Sequence, residues 1–175
     1  MKTELAWHFS SSTLRDGSPV PRIGVPLRHK GPLRICKSGL HASLDPFDAL
    51  RYAPGSLLHR VECSGQIIHG HDKLVCRQRV IVASIDATDL LRAYARAEAL
   101  LVAHLWSSMP PVVREYLETG RAELRVAADA AAWAAWATAG AAATAARAVA
   151  DAATGAASRA RFNAAVVAAF KGNTQ

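Results

Sequence analysis

The hydrophobic pattern changes period along the chain. Leu5–Ser10 is a short apolar run ending in serines, and it predicts a first strand. Ser56–Gly65 alternates, with Leu58, Arg60 and Glu62 on one face and His59, Val61 and Cys63 on the other, so a strand is expected to end at the glycine. Gln66–Asp72 reads as a strand and turn. Leu74–Ile85 is rich in Val and Ile and gives the clearest strand. Its Val75-Arg77-Arg79 and Cys76-Gln78-Val80 alternation predicts one wet face early, and the Val80–Ala83 run predicts burial on both faces later. Pro19, Pro21, Pro26 and Pro32 confine the segment between the first strand and Leu33 to a loop or a sheet edge. Leu33–Cys36 alternates weakly and is expected to be extended.

Helical signals punctuate the rest. Asp45-Pro46 is an N-cap followed by proline at the first helical position, opening Pro46–Tyr52 with Phe47, Leu50 and Ala53 on one face. Pro54-Gly55 closes it. Asp86–Asp89 starts a helix over Leu90–Trp106 with Leu91, Ala95, Leu101 and Leu105 as its apolar stripe. Met109-Pro110-Pro111 breaks that helix, and Val112–Leu117 forms another closed by Gly120. From Val126 to Ala169 alanine occupies 25 of 44 positions, which predicts helix. Arg125, Trp136, Arg147 and Ser158 recur every 11 residues and share a face. Gly140 and Gly155 mark expected kinks or hairpin points. The expected class is α+β: a small mixed, mainly antiparallel sheet domain with one short helix over 1–86, then a helical region over 87–175, alanine-rich from 122.

Composition narrows the function classes. The 175 residues carry a net charge of +7, which favours acidic partners or nucleic acid. The arginines are scattered, with no clustered basic motif, so nucleic acid is not the leading partner. No apolar run reaches the roughly 20 residues of a membrane span. The first residues lack a signal-peptide core. A soluble cytoplasmic protein is expected. Cys36, Cys63 and Cys76 are an odd number without scaffold spacing, which favours reduced thiols. No P-loop, G-x-G-x-x-G, G-x-S-x-G or H-E-x-x-H is present.

All seven histidines lie between His8 and His104, so any site chemistry belongs to the first hundred residues. Cys63, His69, His71 and Cys76 have zinc-ligand chemistry, but their spacing matches no standard finger, and no metal is expected. His8 and His41 each adjoin a short apolar strand, with Ser10 and Ser43 close by and Gly39 able to bring backbone near a ligand. Two such imidazoles facing one cleft suit a phosphate- or ribose-bearing ligand. The other reading is that each histidine satisfies a local backbone group. Tyr52 either stacks on a ligand ring or, the preferred reading, fills the core. Arg15, Arg51 and Arg60 are candidate anion contacts.

The run AWHFSSSTLRDG, then CKSGLHASLDPFDALRYAPG, then VECSG and DKLVCRQRVI, resembles a family of uncharacterised proteins encoded largely by bacteriophages and prophages. The likeness covers about residues 5–120. It implies a phage accessory protein and no established reaction. The first expectation is then a non-catalytic interaction module in the host cytoplasm, acting on host machinery or defence, with a host or phage protein as partner and a helical tail that serves as a docking surface or a self-association face. That tail is also similar to helical immunity proteins. His8, Gly39-Leu40-His41 and Tyr52 are similar in order and spacing to the ribose-holding residues of ADP-ribosyltransferase folds, which implies NAD or a nucleotide as ligand. Those enzymes place a glutamate on a later strand. Here Glu62 comes too soon and Val80–Ile85 contains no acid, so the likeness implies binding more than turnover.

Overall fold

The computed structural model describes residues 3–138 and 155–172. The chain divides into two units, Met1–Thr88 with Phe162–Gln175, and Asp89–Arg161. The protein is α+β.

The first unit is built on five strands: β1 (Thr3–Ser10), β2 (Pro26–Arg28), β3 (Leu40–Ala42), β4 (Leu57–His69) and β5 (Leu74–Asp86). Every pairing among the described strands is antiparallel. A short turn after His69 joins β4 to β5, which suffices for antiparallel neighbours. β5 is central: β4 runs along one side, while β3 (opposite Leu74–Cys76) and β2 (opposite Gln78–Val80) share the other. β1 lies outside β4, and Trp7 bridges to Ser43 through two backbone bonds of 2.7 and 2.9 Å. The first strand therefore meets the end of β3. Ala6, Val61, Cys63, Leu74, Cys76 and Ile81 form the core.

Three local expectations change. Leu33–Cys36 is not a strand: Arg34 and Ser38 bridge across a tight turn in which Cys36 holds φ at 63°. β4 does not end at Gly65, which takes φ of 79° inside an irregularity of register between Ser64 and Ile67, and the strand runs on to His69. The first half of β5 also has no wet face. Val75 and Cys76, on opposite faces, are both fully buried, and Arg79 is buried with a bond to the His41 carbonyl of β3. Val82, in the apolar run, is 40% exposed.

The short helix α1 (Pro46–Leu50) follows the expected cap: Asp45 Oδ1 accepts from the backbone N–H of Phe47 at 2.8 Å. A C-terminal segment completes this unit, so the helical region is not one block from 87 onward. Phe162, Val166 and Phe170 lie at i, i+4, i+8 on the helix Ala156–Gly172. Phe162 and Val166 are fully buried, Phe162 meets Phe47 edge-on at 6.0 Å, and Phe170 meets Trp7 at 5.0 Å. Asn163 Nδ2 donates to Asp45 Oδ2 at 2.8 Å, tying the cap of α1 to this segment.

The second unit is helical. It contains α2 (Thr88–Val102, from Asp89 on), α3 (Pro111–Thr119), α4 (Arg125–Thr138) and the start of α5 (Ala156–Gly172). Pro111 opens α3, and Gly120 at φ 67° ends it. On α2 the expected stripe is not what docks, since Leu101 stands exposed and no α2 residue is fully buried. Tyr94 bonds Ser158 at 2.5 Å, and Glu98 accepts two bonds from Arg161 at 2.8 and 2.9 Å. Gly140, Arg147 and the middle of the alanine-rich stretch lie outside the described residues, so the 11-residue face does too, while Gly155 stands at a bend immediately before α5. No described helix is long and apolar enough to cross a membrane.

Candidate ligand-binding site

A cavity of about 910 Å³ opens in the sheet unit, walled by β1, β3, the loops after β1 and β2, and the end of α1. That size is at the upper end for a small-molecule site. His8, Ser10, Gly39, His41, Ser43 and Tyr52 all line it. The Trp7–Ser43 bridge brings this about, because it sets the strand of His8 beside the strand of His41. Gly39 is needed for the approach. At φ 115° a Cβ there would sit 2.3 Å from Val75 Cγ2, so only glycine lets β3 settle on β5.

The two histidines are held differently. Among the described residues the His8 ring takes no hydrogen bond, and it lies 6.2 Å from the ring of His59, nearly parallel. Burial, helped by the Arg79 charge, holds its pKa well below the ordinary value, so it is neutral and free to donate or accept. His41 Nε2 accepts the Cys36 backbone N–H at 3.0 Å. The left-handed Cys36 turn presents that N–H, so the local-backbone reading holds for His41 even as it lines the cavity. Burial lowers its pKa as well.

Ser10 is tied to a residue the sequence reading passed over. His59 Nε2 lies 2.8 Å from Ser10 Oγ, and His59 Nδ1 lies 2.8 Å from Ser84 Oγ. Burial, then the Arg79 charge, pulls the His59 pKa to about 4. Tyr52 is not core. It is 48% exposed, its hydroxyl donates to Asp72, and the Lys73 ammonium sits 3.6 Å over its ring. The β4–β5 turn thus draws the phenol out to the cavity wall.

Arg79 was also missed, because alternation set it on the wet face. It is 7% exposed and lines the cavity, donating one bond from Nη1 to the His41 carbonyl. Arg15, Arg28 and Lys73 line the cavity too, and among the described residues the one carboxylate in the wall is Asp16. Of the other candidate arginines, Arg51 sits 3.9 Å from Asp72 and Arg60 lies 4.4 Å over Trp7; neither lines the cavity. Glu62 is on β4 away from it. Asp86 accepts from Thr88 and Ser56 at the start of α2.

The zinc-type constellation does not assemble. His69 is 2.7 Å from Glu4, and hydrogen bonding to Cys76, with burial, pushes the Cys63 thiol up so that it stays protonated. Among the described residues no group of three or more His, Cys, Asp or Glu side chains is placed to hold a metal.

Residues 8–93 match the model of a domain of unknown function, DUF7666. No curated protein and no solved structure matches the chain. The matched segment begins at His8 and takes in all six candidate residues and Arg79.

Proposed function

We propose that the sheet unit binds a nucleotide-type ligand, such as NAD, ADP-ribose or a mononucleotide, and holds it without turnover. One observation carries the reading: the six candidate residues line a single cavity, and the imidazole of His8 stands in it with no hydrogen bond among the described residues. A neutral imidazole both donates and accepts, which suits ribose hydroxyls. The half-exposed Tyr52 ring, with Lys73 over one face, leaves its other face as a stacking surface for a base. The single wall carboxylate, Asp16, lies in the loop after β1 and not on a later strand, which supports binding over ADP-ribosyl transfer. A thermal-shift titration with NAD, ADP-ribose and nucleotides tests this. Ligand at 100 times Kd stabilises the fold by about 2.7 kcal/mol, and His8→Ala should lose the shift. Absence of a shift with every one of these ligands removes the reading.

The other reading, a phage-type interaction module acting on host machinery, is favoured by one feature. Val126 and Trp133 stand exposed seven residues apart on α4, and so share a face. A pull-down from host lysate with wild type and Trp133→Ser tests it: retention of the same partners by the variant counts against this face.

A further inference from the structure

We infer that Arg79 anchors an anion subsite in this cavity, taking the phosphate or pyrophosphate of the bound ligand. The inference rests on the nucleotide-type reading above and deepens it.

A guanidinium carries five N–H donors and stays charged in proteins. Arginine is almost never this buried unless it is paired, since an unpaired buried charge is costly. Among the described residues Arg79 makes one hydrogen bond, to a neutral carbonyl, and no ion pair with a carboxylate. None of its nitrogens is both sealed from solvent and unbonded, so its spare donors reach open space. It borders two spaces. One is a void of about 10 Å³ walled largely by Leu14, Val20, Val25, Leu27 and Ile81, which is room for about one water and not for an anion. The other is the cavity of about 910 Å³. A planar fork of donors with no internal acid matches an oxyanion, and phosphate fits it in bidentate fashion.

The surroundings agree in sign. Arg15, Arg28 and Lys73 share the wall with a single carboxylate, Asp16, so the cavity carries a surplus of positive charge. His8 lines both spaces beside Arg79 and adds an imidazole that takes no hydrogen bond among the described residues. Phosphate bound at Arg79 would leave the sugar of the same ligand to His8 and the base to the Tyr52 end.

The test is isothermal titration of the full chain, as wild type, Arg79→Gln and Arg79→Lys, with inorganic pyrophosphate, ADP-ribose and adenosine. Wild type should take pyrophosphate and ADP-ribose. Arg79→Gln should weaken both at least tenfold, Arg79→Lys should weaken them less, and adenosine binding should be unchanged by either. If Arg79→Gln does not fold, the Arg79→Lys comparison decides. ADP-ribose binding with affinity independent of residue 79 overturns the subsite and leaves the cavity reading standing. Pyrophosphate binding that depends on Arg79, with no nucleotide binding more tightly, keeps the subsite and removes the nucleotide reading. Failure of wild type to bind any of these anions overturns both.

Discussion

Among the described residues, the buried polar side chains of the sheet unit are Ser10, Ser43, His59, Ser64 and Arg79, whereas the helical unit has Ser158. Burying a polar group is unfavourable unless it finds partners, so each such residue must be positioned by long-range contacts. The sheet supplies them: Ser10, His59 and Ser84 form one chain of bonds across β1, β4 and β5. In the helical unit, alanine propensity builds the helices, and a few pairs such as Tyr94–Ser158 and Glu98–Arg161 join them. The difference teaches where chemistry can reside. A pocket with uncommitted donors needs walls fixed by many non-local bonds, and those lie in the sheet unit.

The largest contrast uses two aromatic residues from the alanine-rich part of the chain. Phe162 is fully buried with the sheet unit, against Phe47, while Trp133 is 68% exposed in the helical unit. Phe162→Ala should lower stability by about 4 kcal/mol, and Trp133→Ala by about 0.5 kcal/mol or less, in urea unfolding. Equal losses would show that the two residues are not divided between a packed core and an open face.

Two glycines sharpen the same contrast at a smaller scale. Gly39 and Gly120 both hold positive φ. A Cβ at Gly39 meets Val75 Cγ2 at 2.3 Å and Leu33 Cδ2 at 2.8 Å, both packed side chains. A Cβ at Gly120 meets only the tip of Arg96, which can swing away. Gly39→Ala should therefore lose about 3 kcal/mol, left-handed strain plus overpacking, and weaken ligand binding by displacing β3. Gly120→Ala should lose about 1 kcal/mol, the backbone strain alone. Similar losses from the two in chemical denaturation would count against a rigid wall behind His41.

What was legible in the sequence divides along this line. The Asp45-Pro46 cap, Gly39 and the helix stop at Gly120 were readable because each acts through its immediate neighbours. The candidate residues of the cavity were readable as types, though the bridge that unites them was not. Arg79 was hidden because alternation records only which residues share a face, while its burial depends on groups far off in sequence, such as the His41 carbonyl that it bonds and His8 beside it. The return of Phe162, Val166 and Phe170 to the sheet was present as an i, i+4, i+8 pattern and was masked by the surrounding alanine. Cys36 gave no signal, since nothing in a Lys-flanked cysteine announces a left-handed turn.

Acid separates the units most finely. The His59 pKa falls from 6.5 to about 4 in the fold. The unfolded chain thus takes up a proton that the folded chain refuses, so stability is complete above about pH 6.5 and declines as pH falls toward 4. Between pH 8 and pH 5 the loss from His59 should be about 2 kcal/mol, with His8 adding in the same direction. In the helical unit, the Arg161 bond holds the Glu98 pKa below its ordinary value. That contribution is present above the ordinary carboxylate range and is lost only in stronger acid. Urea midpoints at pH 8 and pH 5 check the point. His59→Gln should start less stable at pH 8 and show a flatter decline, because the group that gains the proton on unfolding is gone. A decline as steep as wild type would mean that the Ser10–His59–Ser84 chain opens to admit the proton, and that the cavity wall behind His8 is softer than its bonds imply.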